Sequence, residues 1–183
     1  AKKHACCRCR ASPWTVARRP VTASLFRCLG KTIDEPAALL ATINRELCET
    51  AIHGMFVTMV CGILDPETGE IRLANAGHEP PLLHSADGQF SAVMASAPPL
   101  GILPLNVDEH DIRDEVLSLA GGTLYIFSDG VTEGDIGGGR RLEAGGFRKI
   151  IADRADAPLA ERIEAVIASL KGAGHKQHDD ITI

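Results

Sequence analysis

The stretch that most narrows the fold runs from Met55 to Asn75. There a β-rich run, Met55–Leu64, reaches a turn and is followed by a second extended run, Glu70–Asn75, alternating polar and apolar residues. The turn, Asp65-Pro66-Glu67-Thr68-Gly69, has the chemistry of a chain reversal. Pro presets φ, Asp accepts bonds from nearby N–H groups, and Gly supplies a positive φ. A connection this short joins antiparallel neighbours, whereas parallel strands need a long crossover. The chain is therefore expected to build on a β-hairpin.

Further extended segments follow it. Leu82-Leu83-His84 leads through an Asp87-Gly88 turn to Phe90–Val93, a polar strand is expected around Asp111–Leu117, and Gly121-Gly122 turns into an apolar strand, Thr123–Phe127. Helical signals lie on either side of this block. Thr32-Ile33-Asp34-Glu35 fits a capping box ahead of Pro36. Leu39, Leu40, Ile43, Leu47 and Ile52 then recur at three- and four-residue steps, which predicts an amphipathic helix over Pro36–Ala51. Gly146–Ala152 and Pro158–Leu170 also read as helices, the second with a stripe of Leu159, Ile163, Val166, Ile167 and Leu170. Helix, antiparallel strands, then helices is the order of an α+β layered sandwich rather than a βαβ fold. Ala1–Arg19 shows no periodicity and is left unassigned.

Composition bounds the function classes. A length of 183 residues favours one domain with a sizeable core, and no apolar run approaches the roughly 20 residues of a membrane helix. With no signal-like apolar segment at the start, a cytoplasmic domain is expected; a longer parent chain tethered to a membrane remains compatible with that. The net charge of −5 conceals a split. Residues 1–31 carry eight Lys/Arg and no acid, and the remainder carries 24 Asp/Glu. A basic arm can attract nucleic acid, but only Trp14 and Phe26 interleave with these charges, so no nucleic-acid partner is expected. Cys6-Cys7-Arg8-Cys9 lacks zinc-site spacing, and Cys28, Cys48 and Cys61 lie in apolar stretches as small core residues.

Chemistry concentrates in two acidic signatures, Ser128-Asp129-Gly130-Val131-Thr132-Glu133 and Asp179-Asp180-Ile181-Thr182. The first follows the apolar strand, so Asp129 is expected at the rim of a sheet, where Gly130 lets backbone approach a ligand. An ordinary Asp-Gly turn is the competing reading of Asp129, and a solvated terminus or helix cap that of Asp179 and Asp180. Adjacent carboxylates repel unless a cation or hydrogen bonds offset them. Two rim carboxylates suit Mg²⁺ or Mn²⁺, which take oxygen ligands. His78, beside Pro80 and Pro81, reads as a residue ordering its loop, with acid–base catalysis as the alternative; His175 and His178 read as members of a solvated loop near the doublet.

Six segments in order carry a family resemblance. They are Met55-Phe56-Val57-Thr58, Asp65-Pro66-Glu67-Thr68-Gly69, Ala74 to Leu83 around Gly77-His78-Glu79-Pro80-Pro81, Pro99-Leu100-Gly101, Phe127 to Glu133, and Asp179 to Thr182. Together they resemble the SpoIIE/RsbU-type branch of the metal-dependent protein phosphatases, the protein phosphatase 2C-like (PPM) superfamily, over about Ala23 to Ile183. The resemblance implies an α-β-β-α sandwich of two mainly antiparallel sheets flanked by helices. It implies a bacterial serine/threonine phosphatase of signal transduction and sigma-factor regulation, with two Mn²⁺ or Mg²⁺ ions activating a water. It makes Asp129 and Asp179 metal ligands, Gly130 and Asp180 supporting residues, and Thr132 and Glu133 supports of the loop. No side chain beyond the metal-activated water is implied as catalytic. The implied substrate is a phosphorylated regulatory protein such as an anti-sigma-factor antagonist.

The start of the chain departs from that pattern. The family's Gly-Asp-aromatic-aromatic-Asp hairpin has no counterpart in Ala1–Arg19, and Thr15 stands where the family has an Asp bridging both metals. Residues 1–22 are accordingly expected as an irregular, degenerate or non-native start, and 23–183 as a partial phosphatase domain lacking the N-terminal hairpin and a complete last strand. The alternative function is a catalytically impaired pseudophosphatase or fragment that keeps the fold and partner binding, with one metal ion or none.

Overall fold

Sheet pairing in the computed structural model begins earlier than sequence periodicity shows. The structure describes residues 4–11, 18–49, 56–105, 111–171 and 181–183, with backbone alone for 4–11, 18–20 and 171. It divides into two compact units, Ala1–Pro80 with Ala92–Gly122, and Pro81–Ser91 with Thr123–Ile183.

The first unit holds a four-stranded sheet in the order β1-β2-β3-β6, all neighbours antiparallel. Its strands are β1 (His4–Ala11), β2 (Val57–Leu64), β3 (Glu70–Ala76) and β6 (Glu115–Ser118). The expected hairpin is β2–β3, with Leu64 opposite Ile71. Its turn works as the sequence suggests: Asp65 Oδ1 accepts from the N–H of Glu67 at 2.9 Å, and Gly69 adopts φ +71°. Strand β1 corrects the reading of residues 1–22 as irregular. It pairs with β2 from His4↔Leu64 to Ala11↔Val57, and helix α1 (Arg18–Leu29) begins within the same segment.

Helix α2 (Pro36–Glu49) ends close to its expected limit, and residues 50–55 lie outside the described residues. Leu39, Leu40, Ile43 and Leu47 form its buried stripe and share one core with Met59, Cys61, Ala74 and Ala76 of the sheet. Across the hairpin Met59 faces Ala76 and Cys61 faces Ala74, so larger side chains meet small ones beneath the helix. Fully burying an aliphatic side chain stabilises by about 1.5–3 kcal/mol, so this stripe is the main reason the helix holds. The expected capping box does not form. Thr32 Oγ1 donates back to the Leu29 carbonyl at 3.1 Å, and the orphan N–H of Ala37 is met by Asp114 Oδ1 at 2.7 Å.

Two loops of this unit are pinned by buried amides. Asn44 donates to the Leu103 carbonyl at 2.9 Å and accepts from the Gly101 N–H at 2.8 Å. Asn75 donates to the carbonyls of His78 and Val93, both at 3.2 Å, and accepts from the His78 N–H at 2.9 Å. Gly77 is required here: it has φ +63°, and a Cβ would lie 2.5 Å from the Pro99 ring. Of the cysteines expected in the core, Cys61 is buried and Cys48 half-buried, but Cys28 is exposed on α1.

The second unit holds the three-stranded sheet β5-β4-β7, with β4 (Leu82–His84), β5 (Phe90–Ala92) and β7 (Thr123–Tyr125). Strands β4 and β7 are antiparallel, from Leu82↔Tyr125 to His84↔Thr123. Helices α3 (Asp129–Thr132), α4 (Glu143–Ala152) and α5 (Leu159–Lys171) complete it, with α4 packed on both others. Phe147 is fully buried from α4 and meets Phe127 at 4.6 Å and Tyr125 at 5.6 Å between ring centroids. Among the described residues no helix is long and apolar enough to cross a membrane.

Candidate active site

The apolar strand β7 ends at Tyr125, two residues sooner than the pattern suggests, and Phe127 remains buried beyond it. The chain then enters the short helix α3 at Asp129, so the acidic residue does stand at the end of a sheet strand. Ser128 is extended, with φ −83° and ψ 160°, as an N-cap residue should be. Its hydroxyl does not cap the helix. Instead Ser128 Oγ accepts from the Thr182 N–H at 3.1 Å, while the Ser128 N–H donates to the Thr182 carbonyl at 2.9 Å. This reciprocal pair ties Ile181-Thr182-Ile183 to the residue immediately before Asp129.

Asp129 is held from behind by its own turn. Its carbonyl accepts from the Glu133 N–H at 2.7 Å and from Thr132 Oγ1 at 3.2 Å. The residue is half-buried and its Oδ1 is withdrawn from solvent. Gly130, Val131 and Thr132 are buried in the same turn. The Thr132 hydroxyl and the Glu133 N–H thus both hold the turn, while the Glu133 side chain projects into solvent, 58% exposed.

A carboxylate oxygen at this rim is the donor type that Mg²⁺ or Mn²⁺ takes. Among the described residues no three His, Cys, Asp or Glu side chains group as a metal cluster. Asp179 and Asp180 lie outside the described residues, as do Thr15, His175 and His178. Of the expected ligands only Asp129 is among the described residues, and its carboxylate is of the oxygen-donor type such an ion takes. His78, in the other unit, is 4% exposed, with Nδ1 3.0 Å from the Glu79 carbonyl and its N–H on Asn75, contacts that order its loop.

The sequence reading overlooked Arg141. Its guanidinium lies 3.6 Å from the Glu133 carboxylate, both side chains being more than half exposed. It is placed by a small ribbon: Asp135 bridges Arg141, the Leu142 N–H donates to the Gly134 carbonyl at 2.9 Å, and the Ile136 N–H to the Arg140 carbonyl at 2.8 Å. The only hint in the sequence was two arginines following a glycine run, Gly137-Gly138-Gly139.

Comparison with known proteins places this geometry. The family described as Stage II sporulation protein E (SpoIIE) matches residues 20–183. The phosphoserine phosphatase RsbU of Bacillus subtilis is 30% identical over 159 residues, 85% of this chain and 46% of that protein. The chain thus spans about half the length of that curated relative. Among solved structures, the SiaA-PP2C domain of Pseudomonas aeruginosa matches with a TM-score of 0.78 at 18% identity, covering 98% of this chain and 77% of that one. The PP2C phosphatase domain of SpoIIE from Bacillus subtilis, with a fragment of its regulatory domain, matches at 0.73 and 20% identity, covering 98% and 52%. At these identities the structural likeness is one of fold.

Proposed function

This chain belongs to the SpoIIE family, and from that premise we propose that it is a metal-dependent protein serine/threonine phosphatase acting on a phosphorylated regulatory protein. The observation that carries the reading is the reciprocal hydrogen bonding of Ser128 with Thr182, which ties the end of the second acidic signature to the start of the first. The name of the relative RsbU, a phosphoserine phosphatase, supports phosphoserine as the substrate group. An anti-sigma-factor antagonist is the kind of bacterial regulator we assign as partner.

In this reading Asp129 and Asp179 hold Mn²⁺ or Mg²⁺, with Gly130 and Asp180 in support. When bound, the ion would make a water nucleophilic near neutral pH and offset phosphoryl charge. The chain's own contribution is position. Ser128 and Thr182 lock the rim, and the Thr132 and Glu133 bonds hold the Asp129 backbone. A preorganised carboxylate does not reorganise when charge develops, which is where such sites gain most. Thr15 supports a second reading, an impaired phosphatase that keeps partner binding, because a neutral hydroxyl is a poor bridge between dications.

Asp129→Asn tests the proposal. Mn²⁺-dependent hydrolysis of a phosphoserine protein should fall by roughly 10³-fold, the loss of several kcal/mol of metal assistance. The thermal midpoint without metal should barely move. Equal hydrolysis by the variant and the parent chain would remove Asp129 from the site. If the parent is already slow and Thr15→Asp accelerates it, the second reading holds.

A further inference from the structure

We propose that Arg141 is a specificity-determining residue that binds an acidic side chain flanking the phosphoserine of the protein substrate. This inference rests on the phosphatase reading and names a feature of the substrate that the reading leaves open.

Three observations place Arg141 for that role. First, Glu133 follows Asp129 by one helical turn, its N–H donating to the Asp129 carbonyl at 2.7 Å. Residues four apart on a helix lie on one face with Cβ atoms about 5–6 Å apart. The guanidinium on Glu133 is therefore presented beside the acidic turn. Second, the ribbon from Gly134 to Leu142 fixes where Arg141 leaves the backbone. Gly137 donates its N–H to Asp135 Oδ1 at 2.6 Å, and the ladder bonds of Ile136 and Leu142 close the ribbon on either side. Arg140 and Arg141 differ in placement though not in charge: Arg140 turns its Nε back to the Gly137 carbonyl at 3.5 Å, whereas Arg141 reaches the Glu133 carboxylate.

Third, the structure shows which chemistry Arg141 takes. It holds a carboxylate already, that of Glu133, at 3.6 Å and largely in solvent. A strong charge-assisted bond is about 2.7–2.9 Å long, and exposed ion pairs contribute only about 0–1 kcal/mol. Glu133 is thus a weak occupant that a substrate Asp or Glu can replace at little cost. Arginine suits the exchange, since its planar fork matches carboxylate geometry and stays charged at all relevant pH.

The test uses the full chain and two fluorescent phosphoserine peptides of one sequence, with Glu or Gln flanking the phosphoserine. Binding is read by anisotropy and turnover by phosphate release. The parent should bind the Glu peptide roughly three- to fivefold more tightly, the range an exposed ion pair supports. Arg141→Ala should abolish that preference, Arg141→Lys should restore part of it, and Glu133→Gln should strengthen binding of the Glu peptide. Arg140→Ala, which removes the same charge from the adjacent position, should leave the preference intact. No preference in the parent, or equal losses from Arg140→Ala and Arg141→Ala, would overturn the proposal. A preference in binding that depends on Arg141, without hydrolysis of either peptide, would favour the impaired-phosphatase reading over the active one and leave the role of Arg141 in substrate binding standing. Hydrolysis of both peptides at the same rate, unaltered by Arg141→Ala, would do the reverse.

Discussion

In the unit built on β1, β2, β3 and β6, Asn44 and Asn75, at 0% and 2% exposure, are neutral amides that hold loops by hydrogen bonds. In the unit built on β4, β5 and β7, tertiary contacts of this kind involve ionisable groups. Arg162 Nε donates to the Ala157 carbonyl at 2.8 Å and its Nη1 to the Tyr125 hydroxyl at 3.3 Å. His84 is buried and stacks on Phe90 at 4.4 Å between ring centroids. The cores differ as well: aliphatic side chains fill the first, and the Tyr125, Phe127 and Phe147 rings organise the second. A neutral amide can be enclosed wherever its partners are met, whereas a charged group must keep a route to water or a counter-charge. The difference teaches that the first unit meets its most buried loop contacts with neutral amides and admits the Asp114 carboxylate only at the start of α2, whereas the second sets the Arg162 guanidinium against Tyr125 of its aromatic core.

The largest expected effect tests the aromatic core. Phe147→Ala should cost about 3–5 kcal/mol, because the ring is fully buried and its removal leaves a cavity between two others. Urea unfolding followed by circular dichroism measures it. A loss under about 1 kcal/mol would show that the rings are not what holds the second unit together.

Next is the amide network of the first unit. Asn44→Ala leaves the Gly101 N–H and the Leu103 carbonyl without their present partner and should cost about 2 kcal/mol. The same denaturation experiment applies. A near-neutral result would mean that these loop groups already reach water.

The smallest effects concern pH and have opposite signs in the two units. Burial, then Arg162, holds the His84 pKa below 6.5, with Asp87 pulling upward. The unfolded chain then binds more protons than the folded one below that value. The stability from His84 is complete above pH 6.5 and is lost as pH falls through the lowered value. Asp114 behaves conversely. Desolvation raises its pKa above 3.8 against the Ala37 N–H and Arg72, which lower it, and Glu35 adds to the rise. Its contribution is complete below 3.8 and is lost as pH rises through the raised value. His84→Phe should flatten the decline in urea midpoint as pH falls below 6.5, and Asp114→Asn the slope of opposite sign as pH rises above 3.8. Unaltered slopes in both variants would erase this part of the contrast.

Much of the fold is legible where the chain's own neighbours decide it. The Asp65–Gly69 turn, the Leu39, Leu40, Ile43 and Leu47 stripe and the apolar approach to Asp129 follow from turn chemistry and periodicity, and the structure has all three. Strand β1 was less legible. Cys7-Arg8-Cys9-Arg10-Ala11 alternates over only five residues, and the pairing that makes it a strand comes from β2, more than forty residues on. Of the site, sequence marked Asp129 and Gly130 but could not pair Arg141 with Glu133, since that contact depends on how the ribbon folds back.

The sequence by itself determined the antiparallel character of the sheets, the buried face of α2, and the family to which the acidic signatures belong. Those depend on spacing within a few residues, which the chain carries wherever it lies. On α5 the expected stripe is fully buried at Val166, but Leu159 is 48% exposed. Only the tertiary structure decided that Asp114 rather than Thr32 satisfies the start of α2, 77 residues away, and that Ser128 turns its hydroxyl to Thr182, 54 residues away, instead of capping α3. Each backbone N–H and carbonyl at a helix or strand end needs a partner, but several are available in the sequence. Which one serves is settled by which segments the packed core brings within hydrogen-bonding distance.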